Sequence, residues 1–463
     1  MKRPSLLQRA SPHHSPQPLL HTLGRGFISL RHRNFRLFWC GQLISLIGTW
    51  MQGLGQQWLV YVLTGSALEL GIVSACQFLP VLFFSLYGGV VADRLPKRAL
   101  LIFTQSASLL LALILGLLTW ANVVQIWQVY VLACLLGIVT AFDMPARQAF
   151  IVEMVGREDL MNAIALNSSI FNGSRALGPA IGAYVITWVG IAGCFFINAL
   201  SFVAVIIGLL MMRLAPPLSQ PKAERRSALR QIGEGLGYIR SDQRVLLVFV
   251  LVSFISIFGI PTYTTLLPII ADRVLHMQVT GLGALSTALG TGAVIASISL
   301  AYTSSARQRR LFLVTGSVAF SSLLTLFSLS SSFGLSLALL GGVGLCVVAT
   351  NATGNTIIQS YTPDHLRGRV MSVWALVLVG LAPIGSFLVG LLAEYTSAML
   401  TVRVGALICL AAAVVIVPQM LGHAWPLHRH AVLLATSKEP AETFIETPAA
   451  LDLTHNEVPQ AGD

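Results

Sequence analysis

The ten residues Gly89-Val90-Val91-Ala92-Asp93-Arg94-Leu95-Pro96-Lys97-Arg98 join two apolar runs, 69–92 and 99–121. Each run reaches the ~20 apolar residues that a membrane-crossing helix requires, which puts the charged hinge between them at a membrane surface. A Gly at the end of the first helix allows close helix contact, and Asp93 can accept bonds from the N-terminal amides of another helix. Arg94, Lys97 and Arg98 can pair with acids on neighbouring loops. A basic loop with a chance acid is the plainer alternative, but the order G-x-x-x-D-R-x-x-K-R is specific.

The same apolar texture continues on both sides of the hinge. Of the 463 residues, 55% are hydrophobic and 10% charged, with a mean hydropathy of +0.77. Soluble domains carry roughly 25% charged residues, so a cytosolic enzyme, a disordered chain, collagen and a coiled coil are all excluded. Further runs fall at 36–63, 126–148, 161–187, 191–212, 245–271, 281–302, 311–330, 334–360, 369–393 and 402–421. They are continuous, Leu-rich and Gly-containing, without ten-residue alternation, which selects helices over a barrel. The expectation is an all-α membrane protein with twelve transmembrane helices in two six-helix pseudo-symmetric bundles, 35–213 and 244–422, joined by a cytoplasmic linker at 214–243.

Basic residues set the orientation. With the N-terminus inside, the inner loops hold 16 Lys or Arg, whereas the outer loops hold only Arg273 and Arg403. This asymmetry places both termini in the cytoplasm, and the net charge of +11 is mostly a topology signal. With no folded soluble basic domain, no nucleic-acid partner is expected. Residues 1–34 form a basic tail without a signal-peptide core, and 423–463 an acidic tail expected to be disordered. The linker contains Pro216, Pro217 and SALRQIGEGLGYIRS, which suits either a helix along the inner membrane surface or a solvated linker helix. The six cysteines lie inside spans without CxxC spacing and read as packing residues, so neither disulfide nor metal is expected.

The halves repeat at a spacing of roughly 205–212 residues. Leu70-Gly71 matches Leu282-Gly283, Lys97-Arg98 matches Arg309-Arg310, and RALGPAIGAYV (175–185) matches LVGLAPIGSFLVG (378–390), with Pro179 against Pro383. A parallel repeat of this kind implies two bundles with a substrate site between them near the midplane. The fifth span adds Gly178-Pro179-Ala180-Ile181-Gly182, a Pro-bent helix with a flat face for close packing, or an ordinary Pro kink.

With these motifs the chain, over residues 34–421, resembles the major facilitator superfamily, whose loop between spans two and three carries the Gly89–Arg98 pattern. The resemblance implies that this loop is a conformational latch, with Asp93 docking at the helix start near Gly368. Ser305 stands where the second half should have an acid, beside Arg307, Arg309 and Arg310, so the implied latch is one-sided. The Gly178, Pro179 and Gly182 motif is similar to that of proton-coupled drug exporters, with Ala183 replacing the usual Gly. NFRLFWCGQLISLIGTWMQGLGQQWLVYVLTGSALELG (34–71) and TPDHLRGRVMSV (362–373) resemble the branch containing the enterobactin exporter. The branch exports siderophores and other amphipathic compounds.

Polar residues inside the spans mark the candidate site, because lipid cannot satisfy them. Gln42, Ser45, Thr49, Gln52 and Gln56 share one face of span one, and Asn351, Asn355 and Gln359 recur in span ten. Two uses remain open: the wall of a water-accessible path, which the resemblance implies for these spans, or hydrogen bonds between helices. Arg175, one turn from Asn172, sits near the midplane and needs an anionic ligand such as a catecholate or carboxylate, or else a buried acid. Asp143 forms an i,i+4 pair with Arg147 and is the candidate protonation switch, or simply the partner of that arginine. Phosphate-binding GxxxxGK, HExxH and GxSxG patterns are absent from the sequence.

The expected function is secondary active export of a small amphipathic molecule, siderophore or drug-like, by alternating access, from a monomer in the plasma membrane. Proton antiport is implied by the resemblance alone, and no cofactor is expected. A multidrug pump without a siderophore role is the first alternative; a membrane sensor or membrane-embedded enzyme is the alternative of another class.

Overall fold

The computed structural model describes residues 27–156, 158–213, 228–301 and 306–422. The tail before residue 27, Arg157, Pro216, Pro217, Ser305 and the tail from 423 onward lie outside the described residues.

All regular structure among the described residues is helical. After a single 3-10 turn at Ile28–Arg31 come α1 (Arg33–Thr64), α2 (Ala67–Arg94), α3 (Lys97–Trp120), α4 (Ile126–Val155), α5 (Leu160–Val189) and α6 (Ile191–Leu210). The linker helix α7 (Ala228–Ser241) follows, then α8 (Gln243–Val274), α9 (Gln278–Ala301), α10 (Ala306–Phe327), α11 (Phe333–Tyr361), α12 (Asp364–Tyr395) and α13 (Ala398–Gly422). Ten of them, α2–α4, α6 and α8–α13, are long and apolar enough to cross a membrane. The 32-residue α1 and 30-residue α5 are as long but more polar, through Gln42, Gln52 and Gln56 in one and Asn167, Asn172 and Arg175 in the other.

Local chemistry sets the breaks. Gly65 takes a left-handed φ of 61° to end α1, its amide bonding the Tyr61 carbonyl at 2.7 Å, and Ser66 then caps α2 by accepting from the Glu69 amide. Helix α8 is continuous but passes through π turns at Ile255–Gly259 and Ile270–Val274, around Pro261 and Pro268. The repeat-matched prolines behave differently. Pro179 lies inside uninterrupted α5, whereas Pro383 follows a break at Leu381 and opens the second segment of α12.

In lipid, apolar side chains gain nothing by leaving the solvent, so helices associate through small residues that admit close packing. Gly41, Gly48 and Gly55, seven apart on α1, face α6. A Cβ at these positions would lie 3.1 Å from Val205 Cα, 2.5 Å from the Asn198 side-chain oxygen and 3.1 Å from Cys194 Cβ. Between the two halves of the chain the same device appears twice. A Cβ on Gly71 of α2 would sit 3.2 Å from Gly390 Cα of α12, while Gly283 of α9 closes on Ala183 and Gly290 on Ala176 of α5. The repeat match of Gly71 to Gly283 thus marks two equivalent crossings between halves.

The linker helix packs on protein. Gly235 abuts the Arg369 carbonyl, Glu234 pairs with Arg369 at 2.5 Å, and the Tyr238 hydroxyl donates to the Tyr361 carbonyl at 2.9 Å. It is therefore clamped to the end of α11 and the start of α12, an arrangement that neither reading of the linker anticipated.

Candidate functional site

At the middle of the bundle, α5 brings Arg175 against α1. Its guanidinium carbon lies 5.7 Å from the centroid of the Trp50 ring, within cation–π range, and Phe171 meets the same indole edge-on at 5.7 Å. The Gly178-Pro179-x-x-Gly182 face makes this possible. Gly178 lies against Trp50 and the Ile47 carbonyl, and Gly182 against Met51, so α1 and α5 pack backbone to backbone just beside Arg175. Arg175 has no carboxylate partner among the described residues. From the other half, α8 adds Tyr263, whose hydroxyl is fully buried, has no acceptor for its proton among the described residues, and lies within reach of the Arg175 guanidinium.

The polar stripe of α1 divides. Gln42, Ser45, Gln52 and Gln56 are buried, and Thr49 is exposed, its hydroxyl donating to the Ser45 carbonyl at 2.8 Å. The Gln52 oxygen accepts from the Asn198 amide at 2.6 Å, and Gln42 accepts from Arg147, so these two take the interhelical use. Asn172 is half-buried and bonds the Ser168 carbonyl of its own helix. On α11 the Asn351 oxygen is buried without a partner among the described residues, and Asn355 accepts from Gln359 at 2.7 Å. No hydrogen bond among the described residues joins Asn351 or Asn355 to Arg175.

Asp143 stands in a closed network. It accepts from Thr104 at 2.7 Å and Gln105 at 2.8 Å on α3, and from Arg147 at 3.1 Å and again through a second guanidinium nitrogen. With Arg147 reaching Gln42, the network ties α1, α3 and α4. A buried carboxylate held by several donors and a guanidinium is satisfied as an anion.

The two ends of the bundle differ. At the end carrying Glu394, five hydrogen bonds join the halves. The Glu394 carboxylate accepts from the Ser66 hydroxyl at 2.9 Å and from the amides of Ala67 at 2.9 Å and Leu68 at 3.2 Å, closing the N-terminus of α2. The Tyr61 hydroxyl donates to Asp272 at 2.6 Å, and Arg273 donates to the Gly65 carbonyl at 2.8 Å with its guanidinium over the Tyr61 ring. A cavity of about 430 Å³ lies beside these contacts, lined by Gly65, Arg273 and Glu394 among others. Asp272 and Glu394 fall at the ends of spans in the sequence, and no local signal there shows that they meet α1 and α2 from the other half.

At the opposite end, Asp93 and Arg94 are exposed and without partners among the described residues, so Asp93 makes no bond to the helix start near Gly368. Lys97 pairs with Glu153 of α4 at 2.7 Å, and Arg98 donates to the Leu210 carbonyl of α6 at 2.8 Å. The close approach expected at Gly89 belongs to Gly88, which lies against the Ala141 carbonyl, whereas Gly89 faces open space.

Ten helices among the described residues that are apolar and long enough to cross a membrane make this a multi-pass membrane protein. The chain belongs to the transmembrane secretion effector family of the major facilitator superfamily, whose model matches residues 25–442. It is 26% identical over 374 residues to the staphyloferrin A transporter of Staphylococcus aureus, covering 78% of this chain and 89% of that one. The multidrug efflux pump Tap of Mycolicibacterium fortuitum is 28% identical over 73% of this chain and 83% of its own. Macrolide efflux protein A of Streptococcus pyogenes is 24% identical over 78% and 89%. In fold the chain is similar to the nucleoside transporter NupG, with a TM-score of 0.65 at 13% identity, covering 86% of this chain and 99% of that one.

Proposed function

We propose that this protein is a secondary active exporter of small amphipathic molecules that works by alternating access. In this reading α1–α6 and α8–α13 are twelve crossings in two six-helix bundles, with both termini in the cytoplasm of a bacterial inner membrane. The excess of Lys and Arg on the Asp93 side supports that orientation. The observation that carries the proposal is the asymmetry of the ends: five hydrogen bonds between the halves at the Glu394 end, and at the other an Asp93 without a partner among the described residues. With the Glu394 end outside, this is an inward-open state, and docking of Asp93 would accompany closure of the inner side.

The named relatives support export of either siderophores or drugs, and the substrate-facing set proposed is Thr49, Asn172, Arg175, Asn351 and Asn355, with Gln52 and Gln56 behind them. Protons are the proposed counter-substrate. Asp143, held by Arg147, is the proposed coupling residue. The test is efflux from proteoliposomes preloaded with a catecholate siderophore, a carboxylate siderophore and two cationic drugs, with and without an imposed pH gradient. Gradient-stimulated efflux of any of them supports the reading, and the pattern decides between siderophore and multidrug roles. No efflux of any compound from folded, correctly inserted protein would refute it.

A further inference from the structure

We infer that Arg175 of α5 and Tyr263 of α8 form a two-donor site for an oxyanion on the transported molecule, with Trp50 as the platform for an aromatic ring beside it; this rests on the exporter reading and specifies the chemistry of its midplane site. A guanidinium near mid-membrane without a carboxylate is costly, and here it has the face of Trp50 and the oxygen of Tyr263 for company, with no carboxylate partner among the described residues. A fully buried hydroxyl without an acceptor forfeits about 1–3 kcal/mol, and the Tyr263 hydroxyl is such a group, next to that guanidinium. The guanidinium only donates; the phenol oxygen can accept from it, but the phenol proton is left without an acceptor among the described residues. One oxygen anion between them satisfies both.

The donors come from different halves, so the anion does more than bind. Arg175 moves with α5 and Tyr263 with α8, and an oxyanion shared between them draws the halves together at the midplane. A ligand contributes to switching only through its different affinity for the two states, and a bridge that exists only when both donors point inward supplies that difference. The phenol is covered in the state described, so the anion reaches Arg175 first and Tyr263 on closure.

The test uses two dyes on the same xanthene frame, anionic carboxyfluorescein and cationic rhodamine 123, transported by full-length protein in proteoliposomes. Wild type should carry carboxyfluorescein in preference to rhodamine 123. Tyr263→Phe should raise the KM for carboxyfluorescein about tenfold, the usual weight of one hydrogen bond to a charged group, and Arg175→Ala should abolish its transport. Because the Tyr263 proton has no acceptor among the described residues, the phenylalanine variant should fold at wild-type abundance, which keeps the comparison clean. Preference for rhodamine 123, transport of neither dye, or equal carboxyfluorescein kinetics in wild type and Tyr263→Phe would overturn the inference. Any of these together with gradient-driven efflux of the siderophore and drug panel leaves the exporter reading standing; loss of that efflux as well brings both down.

Discussion

Arg98 and Arg310 do the same work in the two halves of the chain. Each places a guanidinium nitrogen 2.8 Å from a carbonyl in the last turn of a helix, Arg98 on Leu210 of α6 and Arg310 on Met420 of α13. The final carbonyls of a helix have no intrahelical donor and carry its negative dipole end, so a cation there satisfies both needs. The repeated basic pair is therefore a structural clamp as well as a topology signal, and the repeat in the sequence becomes a repeat in bonding.

Arg98→Ala and Arg310→Ala should each lower stability by about 1 kcal/mol, and the double variant should lose the sum, since distant sites add. Thermal unfolding in detergent measures this. Arg94→Ala, at an exposed position without a partner among the described residues, should change it little.

Asp143→Asn leaves the half-buried Arg147 beside a neutral amide. Breaking one side of a fully buried pair costs about 3–5 kcal/mol, and less where one partner reaches solvent, so the variant should be less abundant by fluorescence-detected gel filtration. Pairing it with Arg147→Gln should recover part of the loss. Normal abundance with transport that no longer responds to a pH gradient would instead assign Asp143 the role of protonation switch.

Glu394→Gln removes the charge that closes the N-terminus of α2. Weakening three charge-assisted bonds by about 1.4 kcal/mol in total shifts an equilibrium tenfold. In a background without native cysteines, Ile269→Cys, which lines the adjacent cavity, should react about tenfold faster with a membrane-impermeant maleimide when Glu394 is replaced. Unchanged labelling would remove Glu394 from the gate.

The segment before α1 is pinned to the turn between α4 and α5. Ser29 donates to Asn162 and to the Asp159 carbonyl, and both Arg31 and His32 reach the Asp159 carboxylate. The hydrogen bond from His32 holds the Asp159 carboxyl below the usual carboxylate range; burial opposes this and Arg31 reinforces it. Because the folded value is the lower one, the stabilisation is complete above the unfolded value of about 4 and disappears only as pH falls through the depressed one. Tryptic cleavage at Arg31 should accordingly stay slow from pH 8 down to pH 5 in wild type and be faster throughout in Asp159→Asn, with cleavage measured after a brief incubation at each pH.

The motifs that carried the sequence reading are the ones whose use depends on neighbours in the chain. The apolar runs predicted the helices because backbone in lipid must bond to itself. Gly71 and Gly283 were visible as a repeat because a bare α-carbon at a crossing has no substitute. The Asp143–Arg147 pair was legible from its four-residue spacing. Gln52 was harder, since a glutamine on a buried face serves a ligand or another helix equally well, and only the position of Asn198 on α6 decided between them.

By itself the sequence determined an all-helical membrane protein with an internal repeat, a basic hinge at Asp93 and a polar, arginine-bearing α5, because hydropathy, charge and periodicity are local properties. The tertiary structure alone decided that Glu394 closes the start of α2, that Trp50 lies under Arg175 and that Tyr263 reaches them from the other half. These contacts join residues tens to hundreds of positions apart, and they follow from how the two halves are packed, which no spacing along the chain encodes.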